Sequence, residues 1–205
     1  MKTHSFDDSL LEGLTSDNTL IAGVDEVGRG ALFGPVVAAI VVLPLSAIPQ
    51  SVALGVTDSK KLSARKRQKL IEPIKELATD WWIGSASVAE IDRLNILQAS
   101  LLAMRRCVLN LSVRPDLCLV DGKFAIPDLE IPQKTVVKGD WRSPVIAAAS
   151  ILAKVWRDEA IVELAQKYPE YDLANNKGYP TAKHRSAIQQ YGISPEHRRS
   201  FKFRS

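Results

Sequence analysis

From Leu20 to Gly34 the chain reads Leu-Ile-Ala-Gly-Val-Asp-Glu-Val-Gly-Arg-Gly-Ala-Leu-Phe-Gly, and few folds can house such a stretch. Its apolar, partly β-branched opening predicts a strand through a core, with Asp25 and Glu26 at the far end. Neighbouring side chains on a strand face opposite ways, so two acids serving one place need a break in the pleat, which Gly28 and Gly30 are placed to supply. Arg29 sits between glycines whose backbone can approach a ligand closely. An acid pair at a strand end is commonly a solvated turn, so the pair alone decides nothing. Gly28, Gly30 and Gly34 loosely mimic a dinucleotide-binding turn, but that turn must open a helix, and Val36 to Leu43 reads as a second strand. A plain hairpin accounts for the glycines and Pro35 but not for an arginine between them.

At 205 residues and 46% hydrophobic, the chain can bury one substantial core and is short for two independent domains. We expect a flexible leader over 1–18, one α/β domain over 19–167 and a C-terminal extension over 168–205. The longest uncharged apolar run, Val36 to Leu45, cannot span a bilayer, and the N-terminus lacks a signal-peptide core, so a cytoplasmic protein with no membrane partner is expected. Cys107 and Cys118 have neither metal-ligand nor disulfide spacing and read as core thiols. Net charge is only +4, but Lys60, Lys61, Arg65, Lys66, Arg67 and Lys69 cluster, and His197, Arg198, Arg199, Lys202 and Arg204 close the chain. Each cluster is either a solvated face or a contact for a polyanion.

Further along, Ser63 is a good N-cap for a basic helix, and Pro73 within it is expected to kink or divide it near Glu72. Trp81 to Ser87 predicts a third strand, in a meander with the first two. Asn95 begins an amphipathic helix whose Leu97, Leu101, Met104, Val108 and Leu111 recur at core spacing. Leu117 to Val120 is a short buried strand ending at Asp121-Gly122, and Thr135 to Val137 is another, followed by Lys138-Gly139-Asp140. Ser143 and Pro144 open a long alanine-rich helix suited to close packing on a sheet. In the irregular tail, Tyr179 is either a stacking platform or a loop anchor, and Thr181 caps a short helix to about Tyr191.

Strand ends and a pre-helix loop thus present Asp25, Glu26, Asp121 and Asp140. Four carboxylates in one place repel unless cations neutralise them, and hard oxygen ligands suit Mg²⁺ or Mn²⁺. No His/Cys set suits zinc. A pair of such ions can activate water and stabilise the leaving oxygen of a phosphodiester, so basic flanks around an acid cluster cohere with a nuclease.

Those residues, in order, resemble the ribonuclease HII family. The match runs through Asp25-Glu26-Val27-Gly28-Arg29-Gly30, Asp58 to Ser63, Asn95 to Ser100, Asp121-Gly122, Lys138-Gly139-Asp140, Ala147 to Lys154, Gly178 to Thr181 and His197 to Phe201, or roughly residues 20 to 201. The resemblance implies an RNase H-like mixed sheet flanked by helices, and metal-dependent cleavage of RNA paired with DNA, including single ribonucleotides embedded in duplex DNA. It implies that Asp25, Glu26, Asp121 and Asp140 hold Mn²⁺ or Mg²⁺. It also implies that Gly28, Arg29 and Gly30 read the 2′-hydroxyl and that Tyr179 packs on the following deoxyribose, while the basic cluster itself offers Lys60 and Lys61 as contacts for the substrate's phosphates. A monomer is expected. Trp141, directly after the last acid, departs from the family pattern. Another two-metal nuclease of the same fold and a silent hybrid-binding module are the alternatives, and the Gly-Arg-Gly turn and the four intact acids argue against them in turn.

Overall fold

The computed structural model describes residues 6–203. Five strands, β1 (Leu20–Val27), β2 (Val36–Pro44), β3 (Asp80–Ala86), β4 (Leu117–Asp121) and β5 (Gln133–Val136), form one sheet in the order β3-β2-β1-β4-β5. The first three pair antiparallel as the expected meander, whereas β4 and β5 join in parallel. β1 is therefore central, and its buried residues on both faces explain why it reads as a nearly continuous apolar run.

Helices cover both faces. On one lie α1 (Ile48–Ala53), α2 (Ala64–Leu77) and the 24-residue α6 (Pro144–Lys167), packed on Ile21, Ala39, Val41, Leu43 and Leu119. On the other α4 (Ile96–Leu109) packs on Ala22, Val24, Ile40 and Val120, after a short α3 (Val88–Leu94) that the sequence reading does not anticipate. The alanine run of α6 allows close approach, and Gly23 completes it: a Cβ there would lie 2.3 Å from the Val145 carbonyl carbon. This contact sets the start of α6 against the acid-bearing strand. The remaining helices are α5 (Gly139–Arg142), α7 (Leu173–Asn176) and α8 (Ala182–Tyr191), the last capped by Thr181 as expected.

Three expectations change. Helix α2 runs undivided through Pro73; one missing amide bond is outweighed by a stripe of buried Ile74 and partly buried Leu70, Ile71 and Leu77 packed on the core. Part of the supposed leader is docked: Leu10 is buried in the core, Asp7 pairs with Arg142, and the Asp7 amide donates to the Arg142 carbonyl. Residues 1–5 lie outside the described residues, as does Arg204. The C-terminal basic cluster is divided, with His197 and Arg198 fully buried and Arg199 and Lys202 exposed. Both cysteines are core thiols, and burial pushes each up to about 12.

Candidate active site

The pleat of β1 does not break at the acids. Regular pairing with β2 continues through Asp25↔Ala39, Glu26↔Ala38 and Val27↔Val37. The sheet opens on the other side instead: β1 pairs with β4 only as far as Val24↔Val120, while Asp121 pairs onward with Val136. Into that split project Asp25, Glu26 and Asp121, and one carboxylate oxygen from each lies within 4.8 Å of the others. Divergence of two parallel strands thus does what the glycine break was expected to do.

Asp140, also buried, stands on the one-turn α5 in the loop before α6. It is not one of the three close ligand atoms. Its Oδ2 accepts from Lys60 Nζ at 2.9 Å, and its charge acts on both Asp25 and Asp121. The two loops are fastened together, since the Gly139 amide donates to Asp121 Oδ1 at 2.6 Å.

The electrostatics are unfavourable for the protein alone. Burial, then the charges of Asp121 and Glu26, push the Asp25 carboxyl well above its ordinary range. Burial raises Glu26 too, against the opposing pull of Arg29, whose Nη1 lies 3.0 Å from Glu26 Oε1. Asp121 is raised chiefly by burial. Only oxygen donors stand in this group, without nitrogen or sulfur, which fits a hard divalent cation and not zinc.

Ser59 and Ser150 support the cluster, and the sequence reading gave them no role. Ser150 hydrogen-bonds Asp25, and its hydroxyl lies 2.9 Å from that of Ser59. Their signal was a pair of hydroxyls in otherwise lysine-rich and alanine-rich segments. Arg67 is equally structural, because its Nη1 donates to the Ser59 and Leu62 carbonyls and clamps the turn that presents Lys60 and Lys61. Lys61 lies over the Trp141 ring at 5.9 Å, so the tryptophan edges the same concavity as Lys60, Lys138 and Asp140.

Beyond β1 the Gly-Arg-Gly turn is held from beneath by two buried arginines. Arg157 donates to the carbonyls of Phe33, Pro35 and Lys177, and Arg198 to those of Gly34 and Arg29. Burial and the neighbouring Arg157 charge push Arg198 down to about 9. The two glycines differ in kind. Gly28 has φ +91° and a Cβ there would meet Arg157 Nε at 2.2 Å, so the fold itself demands glycine. Gly30 is exposed, and a Cβ would meet nothing within 4 Å. Among the described residues no close contact explains it.

Tyr179 stands beside this turn. The Leu32 amide donates to the Gly178 carbonyl at 2.8 Å, and the Tyr179 ring has Arg157 at 5.5 Å and Lys154 at 5.6 Å. The structure therefore joins the Gly-Arg-Gly and tyrosine loops in one assembly, and gathers the four acids and Lys60 in another. Lys60 and Lys61 are both exposed at its edge.

A five-stranded mixed sheet, sandwiched by helices and carrying buried carboxylates where its central strands part, defines an RNase H-like enzyme. Solved structures agree: the ribonuclease H2 of Pyrococcus horikoshii aligns with TM-score 0.77 at 29% identity over 90% of this chain and 95% of that one. The protein of the PCNA:RNase HII complex from Archaeoglobus fulgidus gives TM-score 0.77 at 27% identity, over 91% of this chain and 96% of that one. The Ribonuclease HII family model matches residues 22–204. The ribonuclease HII of Acaryochloris marina is 66% identical over 88% of this chain and 91% of its own length, and that of Trichodesmium erythraeum 60% identical over 98% and 94%. The chain belongs to the ribonuclease HII family. It is a metal-dependent ribonuclease H, an endonuclease acting on RNA–DNA hybrids.

Proposed function

We propose that this enzyme also nicks duplex DNA on the 5′ side of a single embedded ribonucleotide, leaving a 3′-hydroxyl and a 5′-phosphate, and so removes misincorporated ribonucleotides in the cytoplasm. The observation that carries this reading is Gly30, a glycine the fold does not require, on an exposed turn directly after the acid-bearing strand. In this reading Asp25, Glu26, Asp121 and Asp140 hold two Mn²⁺ or Mg²⁺ ions. Such ions supply an activated water and stabilise the leaving oxygen of the phosphodiester.

The chain's own residues do the rest. Backbone groups of Gly28, Arg29 and Gly30 meet the 2′-hydroxyl, and a site built to bond that hydroxyl rejects deoxyribose because its polar groups are left unpaired. Arg29 is tied to Glu26, so the reading turn and the acid cluster share one ion pair. Lys60 and Lys61 meet backbone phosphates. Tyr179 packs on the next deoxyribose and aligns the scissile phosphate. Residues 168–205 serve as the substrate-contacting extension of a monomer.

A DNA duplex with one ribonucleotide, beside an all-DNA control and with Mn²⁺ or Mg²⁺ supplied, tests the reading. One nick 5′ to the ribonucleotide and none in the control is expected. Equal cleavage of both duplexes refutes sugar recognition, and binding without cleavage favours a silent module.

A further inference from the structure

The third polar assembly in this molecule has no part in the chemistry above. His184 on α8 and His197 on the C-terminal segment are fully buried, and their Nε2 atoms lie 3.1 Å apart. The surrounding partners fix which nitrogen carries which proton. His197 Nδ1 is 2.9 Å from the Ser194 amide, which can only donate, so this nitrogen accepts and the proton of His197 sits on Nε2. His184 Nδ1 is 2.9 Å from the Tyr179 carbonyl, which can only accept, so this nitrogen donates and His184 Nε2 accepts. The two assignments meet without conflict: His197 Nε2–H donates to His184 Nε2. Protons thus run in one direction from Ser194 through both imidazoles to the backbone of Tyr179.

Each end of this relay is anchored in the substrate-reading assembly. The Tyr179 carbonyl also accepts from the Thr181 amide at 2.8 Å, so the turn through Pro180 is held by two donors. At the other end, His197 forms an antiparallel bridge with Phe33, and their rings meet edge-on at 5.0 Å. The Gly34 amide donates to Glu196 and the Arg198 amide to Leu32. The segment 194–198 therefore runs beside the end of the Gly-Arg-Gly turn while its histidine reaches through His184 to the tyrosine loop.

We propose that the His184–His197 pair is a positioning element for nicking: its fixed tautomers lock the Tyr179 loop in register with the Gly-Arg-Gly turn. The proposal rests on Tyr179 acting on the substrate as read above. The pair is neutral, surrounded by the Tyr171, Phe33 and Phe203 rings. The charges facing His184 are those of Arg185 and Asp172, which oppose one another, and Arg198 turns its guanidinium away to the Gly34 and Arg29 carbonyls. Protonating His184 would set two N–H groups against each other across 3.1 Å, and protonating His197 would set its Nδ1–H against the Ser194 amide at 2.9 Å.

Imidazole nitrogen chemical shifts of the wild-type protein near neutral pH test the relay without any variant. His184 should show Nδ1–H and His197 Nε2–H, both neutral; the reverse tautomers, or an imidazolium, overturn the assignment. Single-turnover nicking of the one-ribonucleotide duplex then tests the role. His184→Leu should slow the nick by about tenfold or more with little change in substrate Kd, because misplacement by an ångström is felt in the chemical step. His184→Asn, whose amide can still donate to the Tyr179 carbonyl, should recover most of that rate. Combined with Tyr179→Ala, His184→Leu should cost nothing further. A loss that adds to that of a slow Tyr179→Ala overturns the positioning role alone. A wild-type rate for Tyr179→Ala overturns the reading of the tyrosine and this role with it, and the chemical shifts still report whether the relay exists.

Discussion

Where β1 and β4 part, Asp25, Glu26 and Asp121 crowd their oxygens within 4.8 Å of one another; beneath the tyrosine loop, His184 and His197 meet at 3.1 Å. Both clusters are polar and largely withdrawn from water, yet they are opposites in satisfaction. The histidines find a donor or acceptor for every ring nitrogen inside the chain, and they sit as neutral groups among aromatic rings. The carboxylates accept from Ser150, Arg29 and the Gly139 amide, yet burial and mutual repulsion still lift the proton affinities of Asp25 and Asp121, so their crowded charge is left uncompensated. A complete buried network holds structure, whereas an incomplete one signals a component that the chain itself does not supply.

The largest break in that contrast should come from the acids. Asp25→Asn or Asp140→Asn keeps shape but removes a charge from the cation site, and turnover on a hybrid should fall by about a thousandfold or more at matched metal concentration. Circular dichroism should stay native. Wild-type-like turnover in both variants contradicts the role proposed for them.

The glycines separate structure from recognition on one turn. Gly28→Ala forces a side chain onto Arg157 at φ +91° and should destabilise the fold by about 2 kcal/mol or more. Gly30→Ala should melt within about 0.5 kcal/mol of wild type while losing preference for the ribonucleotide-containing duplex. Similar melting losses in both would remove the argument from Gly30.

Acidification should pull the two clusters in opposite directions. Burial holds both imidazoles below their ordinary range, His197 down at about 4. The unfolded chain therefore takes up these protons first, and stability falls as pH drops from about 6.5 to about 4. The raised Asp25 carboxyl does the reverse in metal-free protein: its contribution is fully present below the unfolded value of about 3.9 and is lost as pH rises through its folded value. Melting curves of Asp25→Asn should accordingly lose stability more steeply on acidification than wild type, and those of His184→Leu less steeply. Identical slopes would show that neither cluster is coupled to folding in this way.

The smallest effect concerns the exposed rim. If Lys60 and Lys61 meet phosphates, replacing both by alanine should reduce the slope of log K against log salt for a hybrid duplex by about 1–2. An unchanged slope returns them to a solvated turn.

Much of this was legible in the sequence for specific physical reasons. The central strand showed as an apolar run, α6 as a Ser-Pro start followed by alanines, and the acids as charges attached to segments too apolar to be solvent-facing. Pairing divergence was not legible, because it depends on which strand lies beside β1, and so the meeting of Asp25 and Glu26 was ascribed to glycines that come after it. Buried cations were also missed: Arg157 and Arg198 look like surface charges until the carbonyls of a distant turn close around them. Docking of Leu10 depended on a core formed by residues far along the chain.

The incomplete cluster can be tested most directly by melting wild-type and Asp25→Asn protein with and without Mn²⁺. In chelator near neutral pH, the variant should be the more stable of the two, since it loses a buried repulsion and its amide oxygen can still accept from the Glu26 amide as Asp25 Oδ1 does at 2.7 Å. With Mn²⁺ in excess the order should reverse, because binding to the folded state alone raises stability by RT ln(1 + [L]/Kd), and the variant binds more weakly. A wild-type melting temperature that ignores Mn²⁺, or a variant that is destabilised in chelator and gains as much as wild type from the metal, would contradict the claim that cations complete these carboxylates.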